Sequence, residues 1–445
     1  HETSHALLDG LHRLYIEPSH PDVLAFHEAF ADIVALFQHF TFTDVLRHQI
    51  ARTRGDLSVQ NLLGELAQQF GQAIGSYGAL RSAIGQVNPT SGQWEPLVPD
   101  PNQYQTVMEP HARGAILVAA IFDAFLSIYR DRVADLLRIA SGGTGVLSPG
   151  AIHPDLVNRL ALEAAKSASH VLNMCIRALD YCPPVEITFG DYLRALVTSD
   201  ADMMPEDDRG YRVAFIDAFR RRGIFPQGVR TLSIENLRWP GPRDQSERQA
   251  LMVVESAARD FIRRLEQAKT HAELLRENRR FGAILHRLIS AQIDDPAPFE
   301  RLTGLVLDRN RQVEGLRRRP NGQPKFEVYS SQPALRVGPG FRFLRQVVLS
   351  LVQTRDVDFD QNPATGMQRY LFRGGCTLIL NLDPFELKYR IVKQVDDPVR
   401  LERQLRVMRD LMGASLRATY FHNEFSGSQG EPFAFLHGEP EQEEI

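Results

Sequence analysis

His1, Glu2 and His5 stand in the opening pentapeptide HETSH, and their types and spacing point directly at chemistry. Residues four apart on a helix lie one turn above each other, so the two imidazoles can face one point in space with Glu2 beside it. Two such imidazoles suit a divalent cation, zinc above all, and the carboxylate is placed to take the proton of an attacking water. The pentapeptide alone is a weak pattern. Three fixed residues in five recur by chance in about one chain in a hundred of this size.

A catalytic zinc takes three protein ligands and keeps a fourth position open. The segment VLAFHEAFADIVALFQHF repeats Leu24, Ala25, Ala29, Ile33, Leu36 and Phe37 at helical spacing. Within it, Glu28 and Asp32 are again one turn apart. Glu28 can serve as the third ligand, and Asp32 as an outer carboxylate that orients a ligating histidine through its other ring nitrogen. Two acids among Phe26, Phe30 and Ile33 fit poorly on a solvated helix face, because unpaired carboxylates seldom settle in apolar surroundings.

HETSHALLD followed by HEAFADI resembles the thermolysin and fungalysin class of zinc metallopeptidases, the gluzincins. In that class a His-Glu-x-x-His helix is completed by a glutamate on the next helix, with an aspartate one turn later. The order continues downstream. IGSYGALRSA resembles the segment whose arginine contacts the substrate carbonyl, which implies that role for Arg81. EPHARGAILVAAIFDAF resembles the segment whose histidine stabilises the tetrahedral intermediate, which implies that role for His111. DYLRALVTSDADMM and YRVAFIDAFRRRGI resemble the late helices of the fungalysin catalytic domain, closing in a turn at Arg222 and Gly223. The resemblance thus implies a zinc-dependent endopeptidase acting on a peptide or protein. Zinc would sit on His1, His5 and Glu28, Glu2 would activate the water, and His111 with Arg81 would hold the oxyanion.

The departures from the family are also specific. The residue before the ligand glutamate is usually asparagine or glycine, and here it is His27. The tyrosine that assists the oxyanion histidine is matched only by Tyr15, one residue early. The acid that would orient His111 is out of its usual place, with Glu109 nearest to it. RTRGDLSVQNLLGELAQQFGQ reads as an extra helix, and the calcium-binding acid clusters of thermolysin are not apparent. The family also carries a β-rich domain ahead of the zinc helix. The sequence therefore reads as the C-terminal part of a longer protein, a fragment expected to fold, to bind zinc weakly and to be essentially inactive by itself. A second reading is a peptidase-derived binding or scaffolding protein without catalysis, whose C-terminal domain recruits a protein partner.

The elements that must position these residues are mostly helical. GAILVAAIFDAFLSIYRDRVADLLRIA and LVNRLALEAAKSASHVLNMCIRALDYCPP predict two long bundle helices, the second ended by Pro183 and Pro184. Residues 1–228 form the expected thermolysin-like helical catalytic subdomain, and 229–320 a charged helical connector. Its basic stretch RNRQVEGLRRRPNGQPK reads as a solvated linker or turn. Residues 321–437 read as a small α+β accessory domain: about four strands in a meander, from KFEVYSS to ELKYRIVKQV, covered by the helix DPVRLERQLRVMRDLMGASL. Cys376 falls in a strand as a buried structural thiol, and 438–445 is an acidic, disordered tail. The fold class is a mainly α-helical bundle followed by a small α+β domain.

Composition sets the outer bounds. The chain has 445 residues, enough for two or three domains, and 51 basic against 55 acidic side chains argue against a nucleic-acid partner. No apolar run is read as long enough to span a membrane. Cys175, Cys182 and Cys376 are too few for a disulfide framework, which favours the cytoplasm, although relatives in the resembled family are largely exported.

Overall fold

The computed structural model describes residues 1–57, 98–291, 293, 295–338, 343–362 and 366–407, with the backbone of two short paired strands, Gly85–Val87 and Trp94–Pro96. The helical part comprises α1 (Glu2–Leu11), α2 (Pro21–Gln38), α3 (Thr43–Thr53), α4 (Pro110–Ala140), α5 (Pro154–Ala178), α6 (Phe189–Met203) and α7 (Tyr211–Arg221). Local chemistry marks where these helices begin. His20, Glu109 and His153 each accept a backbone N–H of the first turn ahead of a proline at the first helical position, in α2, α4 and α5. Thr188 and Asp191 cap α6 reciprocally.

α4 is the axis around which α2, α5 and α7 pack. Its Phe125 meets the edges of Phe37 and Phe40 at centroid distances of 5.5 and 4.8 Å. Here one expectation is corrected. Pro21–Thr41 and Pro110–Ala140 are long and apolar enough, by length and composition, to cross a membrane. Of their apolar windows, 78% and 83% are buried within the protein, which is the burial of a helix enclosed by other helices.

α2 and α4 approach closely at one point. A Cβ on Gly114 would lie 2.8 Å from the Ala25 carbonyl oxygen and 3.3 Å from the Ala29 nitrogen, so only glycine permits the contact. Next to it, Arg113 Nε donates to Asp22 Oδ1 at 2.6 Å, with both side chains buried. Asp22 Oδ2 accepts from the Tyr104 hydroxyl at 2.6 Å and from the Phe189 N–H at 2.8 Å.

The sheet has four antiparallel strands in chain order: β1 (Glu327–Val337), β2 (Phe343–Asn362), β3 (Gly366–Leu382) and β4 (Phe385–Lys393). Val348, Ile379, Tyr389 and Ile391 on one face join the core of the helical part. Val347, Leu351, Cys376 and Leu378 on the other pack with Phe261, Phe281 and Phe299 of α8 (Glu255–Gln267), α9 (His271–Ala291) and α10 (Ala297–Thr303). The stretch expected as a connector therefore supplies a third layer. The helix expected to cover the sheet begins as α11 (Pro398–Arg406): its Leu401 and Leu405 pack with Tyr370 and Phe372 of β3 and Gln404 accepts from the Tyr370 hydroxyl, while Arg400 and Arg403 reach across to the helical part. The rest of that expected helix and the acidic tail lie outside the described residues. Cys376 is fully buried, and burial pushes its thiol up to about 12.

α11 is fastened through Glu186, whose backbone sits in the left-handed region at φ 50°. The buried carboxylate accepts from Arg400 Nε at 2.6 Å and Arg403 Nη2 at 2.7 Å. Burial alone would raise the Glu186 pKa, but Arg400, Lys393 and Arg403 outweigh it and hold the group at about 2. A depressed carboxylate contributes stability that is complete above its usual value near 4.5 and is lost as pH falls through about 2. Glu186→Gln should lower unfolding stability at pH 7 by about 3–5 kcal/mol, because two guanidinium groups stay buried beside a neutral amide. In denaturant titrations the gap between variant and parent should narrow below pH 4.5; a gap independent of pH would mean that the charge is not what stabilises the contact.

Candidate metal centre

The first turn of α1 is closed by the His1 carbonyl, which accepts the N–H groups of Ser4 at 2.7 Å and His5 at 3.2 Å. This holds His1 and His5 one turn apart on the face toward α2. α2 presents His27, Glu28 and Asp32 to them, and the Gly114 crossing brings the start of α4, with His111, to the same place. Glu2 borders the site from solvent: its side chain is 66% exposed, with Oε1 3.9 Å from His1 Nε2.

The three residues expected as ligands come together. His1 Nε2 and His5 Nε2 are 2.9 Å apart, and each lies 3.7 Å from Glu28 Oε2. A point equidistant from three atoms so spaced is about 2.0 Å from each, the bond length of zinc to imidazole nitrogen or carboxylate oxygen. Among the described residues, this is the one His/Cys/Asp/Glu group with metal-ligand spacing.

The other ring nitrogens test the fit independently. For both Nε2 atoms to offer lone pairs, both Nδ1 atoms must carry protons and meet acceptors. His1 Nδ1 lies 2.9 Å from Asp32 Oδ1, and His5 Nδ1 lies 2.8 Å from His27 Nδ1. Burial, with the nearby His12 and His1, lowers the His27 pKa to about 3, so its ring is neutral and its Nδ1 can accept. For His1, Asp32 and Glu28 overcome the opposing effect of burial and raise the pKa. The residues present fit a zinc ion.

Glu28 is almost wholly buried, and burial raises its carboxyl to about 7 despite His111 and His1. His111 Nε2 is 3.6 Å from Glu28 Oε2, while its Nδ1 bonds Glu109 Oε1 at 2.8 Å. Glu109 also accepts the His111 and Ala112 N–H groups as the cap of α4. These hydrogen bonds outweigh burial and hold Glu109 below its usual range; the same bond raises the His111 pKa. One carboxylate thus starts the helix and orients its histidine.

One residue weighed against the family pattern stands elsewhere. Tyr15 is fully buried and donates to the Pro183 carbonyl at 2.6 Å, so its hydroxyl is directed away from the histidines. Arg81 and most of the expected extra helix lie outside the described residues. His27, in turn, has a place at the centre that was not assigned from the sequence. Its mismatch with the asparagine or glycine of the resembled family was the available signal. The chain matches no protein-family model, no curated protein and no solved structure.

The outer contacts generate a test that needs no substrate. Removing the acceptor for His5 Nδ1 by His27→Leu should weaken zinc binding by about 10–100-fold, whereas His27→Asn, which keeps an acceptor, should lose much less. Competition with a chromophoric chelator measures both. Equal affinity in the two variants would separate His27 from the metal.

Proposed function

We propose that this chain carries a metallopeptidase zinc site and acts in peptide-bond hydrolysis. The observation that supports this reading most directly is the set of three donor atoms, His1 Nε2, His5 Nε2 and Glu28 Oε2, 2.9–3.7 Å apart, with acceptors behind both rings. When bound, zinc supplies a Lewis acid for the scissile carbonyl and lowers the pKa of water to near neutrality.

The chain's own residues do the rest of the work. Glu2 lies at the solvent edge beside His1, where its side chain can take a proton from the attacking water and pass it to the leaving amine. His111, raised in pKa and held by Glu109, presents Nε2 as a donor to an oxygen that gains negative charge. Asp32 and His27 keep the rings of His1 and His5 in the tautomer with Nε2 turned inward. Arg81 enters only through the resemblance, as a contact to the substrate carbonyl.

The roles separate on substitution. Glu2→Gln should retain zinc and lose hydrolysis of a casein-type substrate, since the amide keeps the shape and lacks the base. His111→Ala should lower kcat by about 10²–10³-fold with zinc content unchanged. Glu28→Ala should instead lose tight zinc binding, because two imidazoles alone hold the ion weakly. Parental turnover in the first two variants, alongside parental metal content in the third, would remove the reading altogether.

A further inference from the structure

The stretch RNRQVEGLRRRPNGQPK, expected as a solvated linker or turn, is folded back against the end of α9. Arg318 organises it, donating Nη1 to the carbonyls of Arg309 and Gly322 at 3.1 and 3.0 Å and Nη2 to that of Arg311 at 2.5 Å. Gln323 Nε2 then fastens the loop to the Ser290 carbonyl at 2.8 Å. Between the loop and the helix lies a cavity of about 800 Å³, within the range that encloses small ligands.

The lining mixes two chemistries: Ile293, Leu307 and Phe326 are apolar, and Arg287, Arg309 and Arg319 are cationic. Phe326 is buried and stacks on His286 at 4.5 Å, with the rings 10° from parallel. Arg319 Nη2 donates to His286 Nε2 at 2.7 Å, so the stacked pair also positions a guanidinium. Neighbouring arginines are neutralised: Arg311 by Glu300 and Asp396, and Arg317 by Asp356. Among the described residues, by contrast, no carboxylate lies within ion-pair distance of Arg287, Arg309 or Arg319. Asp308, the one acid in the described lining, accepts the Asn310 N–H at 2.9 Å.

The three arginines are exposed, so solvent and salt screen their mutual repulsion, and an anion bridging them would relieve what remains. A phosphate group brings close to two negative charges and three acceptor oxygens, and guanidinium forks match it in pairs. We infer that this cavity binds a small organic phosphate, its phosphate oxygens on Arg287, Arg309 and Arg319 and its less polar body over Ile293 and Leu307. The site lies outside the candidate metal centre and stands independently of the peptidase reading.

Calorimetric titration of metal-free protein with ATP and with inorganic pyrophosphate tests it, since both probes would otherwise compete for zinc. One saturable site is expected for each probe, weakened at least tenfold by Arg287→Gln and by Arg319→Gln, partly retained in Arg319→Lys, and unchanged by Arg263→Gln on an exposed helix face. Citrate, with carboxylates in place of phosphates, should bind at least tenfold more weakly. Thermal melting checks the fold of each variant, and if Arg319→Gln fails to fold, the solvent-facing Arg287→Gln decides. The inference is overturned by absence of saturable binding, by unchanged affinity in the Arg287 variant, by equal binding of citrate, or by loss of binding on Glu28→Ala instead.

Discussion

Asp22 sits buried in the first turn of α2 and binds Arg113 from the first turn of α4, and the geometry of the metal centre depends on that contact. A buried ion pair adds little net stability compared with apolar packing, because both charges must leave water. Its directional bonds do fix one register between the two helices. Arg113 also donates to the carbonyls of Tyr104 and Val107, at 2.8 and 2.7 Å, so the chain leading into α4 is held by the same side chain. With the helix starts pinned there and the backbones nearly touching at Gly114, His111 has one place to go, beside Glu28. A shift of α4 by one residue would turn that histidine about a quarter of the way around the helix.

The centre shows two ways of holding a ring. His1 is backed by Asp32, a partly exposed carboxyl acceptor that makes the imidazole more basic. His5 is backed by His27, a neutral acceptor wholly enclosed by protein, which orients the ring without adding charge. The difference follows burial. A carboxylate at position 27 would be a second buried acid next to Glu28, and two close acids disfavour ionisation of both.

The sheet is a middle layer rather than an appended unit. Its two faces meet two different cores, and polar contacts tie it to the helical part on one side. Thr377 donates to the Cys182 carbonyl at 2.8 Å, Lys393 pairs with Asp191 at 2.7 Å, and Arg373 clasps Glu17 through two bonds of 2.7 Å. Glu17 lies just after the turn that follows α1. The strands therefore brace the helices that carry the histidines, although among the described residues they contribute none to the centre. Runs such as VVLSLV in β2 and TLIL in β3 are apolar on both faces, as strands covered on both sides require.

Much of this was legible in the sequence because it is local. Helical periodicity marked α2, α4 and α5, alternation and turn residues marked the four strands, and spacing of four marked His1 with His5 and Glu28 with Asp32 as pairs on common faces. Whether those pairs meet is a question of tertiary packing: α1 must lie against α2, and Gly114 with the Asp22–Arg113 contact then brings His111 to them from far along the chain. Distance along the chain likewise concealed that His27 backs His5, that Tyr15 turns to Pro183, and that the charged helices cover the sheet. A run of arginines looks the same in any sequence, solvated or not. Only the fold determines which of them meet a carboxylate and which are left facing a cavity, because ion pairing depends on neighbours in space, and those neighbours come from other elements.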